Sequence, residues 1–217
     1  MIDLHTHTTF SDGELIPAEL ARRAKVAGYQ AVAYTDHADA ANMAFIIERI
    51  REFTDSCAPY FGIDLFAGVE LTHMPPGLLA EYTVRARALG AQIVVVHGES
   101  VVEPVARGTN LAAIEAGVDI LGHPGLITDV EAALAAEKGV ALEITTRNGH
   151  SLTNGHVAAM ARKHGARLVV NNDAHHPRDL IGPELRRAIA LGAGLSESEL
   201  AQAEVNSRAI VERLLTK

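Results

Sequence analysis

The sequence contains one cysteine, Cys57, in 217 residues, so it has neither a disulfide framework nor a thiolate metal cluster. It has no tryptophan, and aromatic residues make up 4% of the chain, too few for the stacking platforms that hold single-stranded nucleic acid. Basic residues are in the minority: 19 Lys and Arg stand against 27 Asp and Glu, a formal charge of −8. That balance argues against an extended basic face for nucleic acid. Long apolar runs are also missing, since stretches such as Ile93 to Val96 fall far short of a membrane span. The opening residues, Met1-Ile2-Asp3-Leu4-His5, lack the basic-then-apolar pattern of a signal peptide, so a cytoplasmic protein with no membrane partner is expected. No Pro/Ser/Gly-rich linker divides the chain, and its length suits one domain over 1–217.

The residue in excess is histidine, with 11 copies. Their placement follows the chain's organisation. Short runs rich in Val, Ile and Leu, of the kind buried on both faces of a parallel sheet, predict strands at 2–5, 31–34, 64–69, 92–96, 119–121, 141–144 and 167–170. Helices are expected between them, at 17–27, 81–89, 111–116 and 157–164, with two more at 183–191 and 198–215. Pro17 suits a first helical turn, and Gly28, Gly90, Gly117 and Gly165 suit helix ends. Seven βα units imply an imperfect parallel barrel or a doubly wound sheet. In both, active-site residues gather at the C-terminal ends of the strands.

Nine nitrogen and oxygen donors fall at those ends. His5 and His7 close the first strand and, two apart in extended chain, point to one side. Asp12 follows in the Ser11-Asp12-Gly13 turn, His37 follows strand two, and Glu70 follows strand three. His97, His123, and the pair Asp173 and His175 follow strands four, five and seven. A single histidine is usually a core or surface residue. So many donors at one level, without a metal, would crowd one cleft with unpartnered polar groups. Imidazole and carboxylate suit zinc, manganese and iron, and a catalytic zinc takes about three protein ligands, so two or three divalent ions are expected.

The segments His5-Thr-His7-Thr-Thr-Phe-Ser11-Asp12-Gly13, Thr35-Asp36-His37, Glu70, His97, Gly122-His123-Pro124 and Asp173-Ala-His175 resemble the motif set of the PHP (polymerase and histidinol phosphatase) superfamily, in the family's order. The resemblance implies a distorted (β/α)7 TIM-like barrel of PHP type, an α/β fold, and a metal-dependent phosphoesterase, commonly with a trinuclear centre. It implies one metal on His5, His7, Glu70 and Asp173, a second on Glu70, His97 and His123, and a third on Asp12, His37 and His175. Some relatives carry His where this chain has Asp12. The chain is too short for the extra domains of polymerase-associated members.

Three divalent ions would bring about +6 against −3 from Asp12, Glu70 and Asp173, so an acidic chain can present a cationic pocket suited to phosphate. The expected reaction is attack by a metal-bridging hydroxide on a small phosphomonoester such as histidinol phosphate, a nucleotide or a sugar phosphate. Asp36 or His176 is a candidate proton donor to the leaving group, beside Glu70 and Asp173 in the catalytic set. Arg147, Arg107 and Arg178 are candidates for phosphate binding, Arg147 foremost by its loop position. Glu143 is expected to orient a ligand or substrate group. His73 and His150 lie in loops that can reach substrate, whereas His156 and His164 read as surface residues and Cys57 as a small buried side chain. A phosphodiesterase or exonuclease acting on nucleic-acid ends and a metal amidohydrolase are the alternatives. A non-catalytic module is disfavoured because all nine donor positions are filled.

Overall fold

The computed structural model describes residues 1–216. Seven strands form one parallel sheet in the order β1-β2-β4-β5-β6-β7-β8, and a two-residue strand, β3, pairs with the end of β4. They are β1 (Ile2–Thr6), β2 (Ala31–Tyr34), β3 (His37–Ala38), β4 (Asp64–Leu71), β5 (Ile93–His97), β6 (Ile120–Gly122), β7 (Ala141–Thr145) and β8 (Leu168–Asn171). The helices are α1 (Pro17–Val26), α2 (Met43–Phe61), α3 (Leu79–Ala88), α4 (Thr109–Glu115), α5 (Asp129–Lys138), α6 (Asn154–His164), α7 (Pro183–Gly192) and α8 (Glu197–Leu215). The sheet curls until β8 meets β1, which gives the expected distorted (β/α)7 barrel.

The closing seam is irregular. One isolated bridge joins Thr6 to Ala174, with His7 N–H donating to the Ala174 carbonyl at 2.9 Å. Side chains complete the stitching: Leu4 N–H donates to Asn171 Oδ1 at 3.0 Å, and Asn172 N–H donates to Asp3 Oδ1 at 3.1 Å. The β1–β2 register also slips between Asp3 and Thr6. This slip has a purpose in the geometry. Ile2 and Leu4 belong to the barrel-interior cluster with Ala33, Phe66, Val95 and Val169. Strict alternation would then turn His5 and His7 outward, whereas a bulge re-aims the side chains that follow it.

The outer core lies between strands and helices, with Val32, Val94, Leu121, Leu142 and Val170 facing Leu20, Ile46, Ile50, Ala113, Ala135 and Ala161. Ile210, Val211 and Leu214 of α8 join the interior cluster instead and close the N-terminal end of the barrel. Two helices lie beyond those assigned from sequence. α2 buries Met43, Ile46, Ile47 and Ile50 but carries Pro59 inside its last turn, a residue that disrupts a helical pattern. α5 buries only Ala132 and Ala135, too weak an apolar stripe to read, although Thr128 and Glu131 form a capping box at its start. Cys57 is half-buried rather than buried, because it faces outward on α2 near Ser56. Among the described residues, no helix is long and apolar enough to cross a membrane.

Candidate metal centre

The barrel's C-terminal end brings all nine donors into one cluster. Its centre is fully buried: His5, His7 and Glu70 are 0% exposed, and His97, His123, Asp173 and His175 are nearly so. Asp12 and His37 form the open side. The residues group in four overlapping sets, each with one ligand atom per residue and all such atoms within 4.8 Å: His5, His7 and Glu70; His5, His123 and Asp173; His7, Asp12, His37 and His175; and His97, His123 and His150. The first set falls within the expected first site and the third contains the expected third site, whereas the second mixes donors of two expected sites and the fourth joins His150 to His97 and His123.

Nitrogen–oxygen separations across the cluster are short. His5 Nε2 lies 3.2 Å from Glu70 Oε1, His7 Nε2 lies 3.2 Å from Asp173 Oδ1, and His175 Nε2 lies 3.1 Å from Asp12 Oδ1. Yet His5 Nε2, both His7 nitrogens, Glu70 Oε1, His123 Nδ1 and Asp173 Oδ1 are buried without a hydrogen-bond partner. Buried polar atoms are normally paired. Atoms that converge without pointing at one another are arranged as ligands of shared ions, each about 2.0–2.2 Å from its metal. The donor set therefore fits divalent metals.

The outer nitrogens are held in place. His5 Nδ1 donates to Glu143 Oε2 at 2.8 Å, His97 Nδ1 to the Gly98 carbonyl at 3.1 Å, and His175 Nδ1 to the Asp173 carbonyl at 3.0 Å. A ligand histidine is commonly fixed in this way, with its other nitrogen's lone pair freed for metal. Glu143 also accepts from Asn171 Nδ2 at 2.9 Å, so it orients His5 as expected. The backbone pays locally, with φ of 25° at His123 and 53° at Asp173, a left-handed region that non-glycine residues seldom occupy outside functional sites. Gly122 makes room for the ligands, since a Cβ there would lie 3.1 Å from His5 Cε1.

Carboxylates and imidazoles in the cluster offset one another's charge, which raises His5 and His97 above the usual imidazole range against the effect of burial. Burial works against the ionised forms of Glu70 and Asp173, but neighbouring histidines outweigh it and hold both well below the usual carboxylate range. Burial, with His37 and His175 alongside, keeps His7 well below the usual imidazole range. For His37, burial is outweighed by Glu70 and Asp12, which push it up to about 9.

The remaining expected residues are placed unevenly. Arg147 reaches the cluster: its Nε lies 3.7 Å from Asp173 Oδ2, and its Nη1 donates to the Asp173 carbonyl at 3.3 Å. Arg107 and Arg178 are exposed, and neither makes an ion pair or hydrogen bond among the described residues. Asp36 turns away from the donors. It accepts from Thr8 N–H at 2.7 Å, from Thr8 Oγ1 and from Ser11 Oγ at 2.8 Å, and so shapes the loop that carries Asp12. His176 lies at the rim, 3.2 Å from Asp179 and 3.4 Å from Glu14. Glu103, on the loop after β5, escaped the sequence reading. Its carboxylate lies 3.1 Å from His97, 3.3 Å from His150 and 3.6 Å from His73, and the His97 hydrogen bond holds it down to about 2. Its only signal in sequence was position, six residues beyond a ligand histidine. A separate cavity of about 580 Å³ opens at the other end of the barrel, lined by Arg87, Asp119, Lys138, Arg167 and Arg213. It holds none of the nine donors.

Comparison with known proteins identifies the family and the fold. The PHP domain family model matches residues 3–95. An uncharacterized protein of Methanocaldococcus jannaschii is 50% identical over 200 residues, covering 91% of this chain and 92% of its own. This chain belongs to the PHP superfamily. The PHP fold is also visible in a solved structure, histidinol phosphate phosphatase from Lactococcus lactis with zinc, L-histidinol and phosphate. It matches at a TM-score of 0.63 and 17% identity, over 90% of this chain and 94% of that one. Ribonuclease P protein component 3 of Methanosarcina barkeri is 29% identical over 88% of this chain and 80% of its own. The proteins this chain is similar to thus include a histidinol phosphate phosphatase and a ribonuclease P protein component.

Proposed function

We propose that this PHP protein is a metal-dependent phosphoesterase that hydrolyses a small phosphomonoester. The observation that carries the reading is the convergence of unpartnered, buried imidazole and carboxylate atoms beside Arg147 at the mouth of the barrel. His5, His7, Glu70 and Asp173 would hold one divalent ion, Glu70, His97 and His123 a second, and Asp12, His37 and His175 a third, with zinc, manganese and iron all suited to the donors. Such ions supply an activated water at neutral pH and neutralise charge on the phosphoryl group.

The chain's own groups do the rest. Arg147, anchored on Asp173 and 3.8 Å from Asp179, offers a planar fork to two phosphate oxygens. Glu143 fixes the ring of His5, and the Asp36 hub fixes the loop of Asp12. Both Asp36 oxygens are engaged by Thr8, so His176 at the rim is the better placed of the two candidates to give a proton to the leaving alkoxide. The likeness to the ribonuclease P component supports a second reading, action on or attachment to RNA. Net acidity and the narrow, buried centre favour the small substrate.

The test is a phosphatase screen over a metabolite panel with manganese, zinc or iron(II) supplied. Phosphate release is expected from at least one monoester and should be lost in His7→Ala and Asp173→Ala. Full activity in those variants would refute the metal assignment. Cleavage of a labelled oligonucleotide with no monoester turned over would move the assignment to the second reading.

A further inference from the structure

His150 repeats the signature of the ligand histidines although no motif of the family resemblance includes it. It is 5% exposed, on the single 3₁₀ turn His150–Thr153 after β7. Its Nδ1 lies 2.6 Å from Ser100 Oγ, and the tautomer in which the hydroxyl accepts the ring proton leaves the Nε2 lone pair free. That outer contact parallels those of His5, His97 and His175. The ring stacks on His123 with centroids 4.2 Å apart, and one nitrogen each of His97, His123 and His150 lies within 4.8 Å of the others. Glu103 spans the outer edge of this triad. Its Oε2 lies 3.1 Å from His97 Nε2, and its Oε1 lies 3.3 Å from His150 Nε2. These are the separations found between Glu70 and His5 and between Asp173 and His7.

We propose that His150 and Glu103 are metal ligands, completing with His97 and His123 a position of three imidazoles and one carboxylate at the outer edge of the centre. The inference rests on the metal centre of the functional reading and extends its ligand set. His97 and His123 also belong with Glu70, so one ion is shared between the two donor sets rather than a fourth being added. A histidine-rich shell selects borderline ions such as zinc or cobalt over magnesium or calcium, which prefer oxygen. The Glu103 side chain is 38% exposed, so it is the ligand open to exchange with an incoming phosphate oxygen. Ser100 is a positioning residue, since it acts through His150.

Cobalt(II) titration of the metal-stripped full chain tests the assignment, followed by visible absorption and by metal content after dialysis. In the wild type, several equivalents bind, with the absorption of nitrogen-rich ligation. His150→Ala is expected to weaken at least one equivalent by about tenfold or more and to change the spectrum. Glu103→Gln should weaken the same equivalent, and Ser100→Ala should weaken it by about 10–100-fold with the spectrum largely kept. Circular dichroism of each stripped variant checks the fold. If His150→Ala does not fold, Glu103→Gln, on an exposed loop position, carries the measurement. Unchanged affinity, stoichiometry and spectrum in the folded variants would overturn this inference and leave the phosphoesterase reading intact. Conversely, a wild type that binds cobalt as described but hydrolyses no phosphoester would overturn that reading alone.

Discussion

Glu143 pairs with Nδ1 of His5, a proposed metal ligand, and replacing it by glutamine changes little but charge and acceptor count. In the native site three N–H donors meet one carboxylate. His5 Nδ1 and Asn171 Nδ2 reach Oε2 at 2.8 and 2.9 Å, and the His123 backbone N–H reaches Oε1 at 3.4 Å. A glutamine amide has one acceptor oxygen and one NH2. With the oxygen toward His5, the NH2 faces the His123 N–H. With the amide flipped, His5 must accept at Nδ1, which places its proton on Nε2 and removes the lone pair aimed at the metal. Either way one buried donor loses its acceptor, a cost of about 1–3 kcal/mol. For a chain of this size about 2–4 °C of melting temperature corresponds to each kcal/mol, so the metal-stripped variant should melt about 2–12 °C lower. Loss of a partner that orients a ligand commonly costs about 10–100-fold in metal affinity, and the same is expected here. Thermal melts of stripped protein and competition with a chelating indicator measure the two effects. A Glu143→Gln protein with unchanged melting temperature and unchanged metal affinity would refute the reasoning.

Gly98→Ala should destabilise the barrel by about 1–3 kcal/mol in urea unfolding, as overpacking does. The added Cβ would fall 2.3 Å from the Gly122 carbonyl oxygen and 2.7 Å from Pro124 Cα, both backbone atoms that cannot move independently; an unchanged midpoint would count against the packing described. Asp3 supplies a pH test. Burial pushes its carboxyl up to about 7, against the pull of Arg186 and the N–H groups of Asn172 and His5. The folded protein therefore binds this proton more tightly than the unfolded chain, and stability present below the ordinary value of 3.8 falls as pH rises toward about 7. Asp3→Asn keeps an acceptor for Asn172 and should flatten that slope in stripped protein; an identical slope in the variant would show that Asp3 does not titrate there.

The seven strands of the barrel sheet were legible because short apolar runs buried on both faces carry their own signal, as in Ile93 to Val96. The nine donors were legible because each sits where a strand ends, and the barrel then makes chain position equivalent to spatial level. What stayed hidden depended on side-chain direction. Glu103 sits on a bend and His150 opens a short 3₁₀ turn, where no repeating period fixes which way a residue faces. Asp36 has the right chemistry for a proton donor, yet its partners Thr8 and Ser11 lie on another loop and turn it into a hub. The bulge in β1 is equally silent in sequence, although it decides whether His5 faces the barrel or a helix.

The proposed ligands would explain why so weak a seam suffices. A single bridge joins Thr6 at the end of β1 to Ala174 just beyond β8, and side chains of Asp3 and Asn171 stand in for ladder bonds along the seam. His5 and His7 lie on one side of that seam, and Asp173 and His175 on the other. His7 paired with Asp173 or with His175 around a shared ion would therefore cross-link the two ends of the barrel sheet. Because the unfolded chain holds no such site, binding energy appears as stability, about 2.7 kcal/mol at a metal concentration 100 times the dissociation constant. The gain should be local as well as global. Hydrogen exchange at Leu4, His7 and Asn172, whose N–H groups bridge the seam, should slow on metal loading more than exchange at Val94 or Val96 in the middle of the sheet. Uniform slowing across β1, β5 and β8 would mean that the ions stabilise the fold without closing this seam, and the placement of His7 and Asp173 as shared ligands would lose its support.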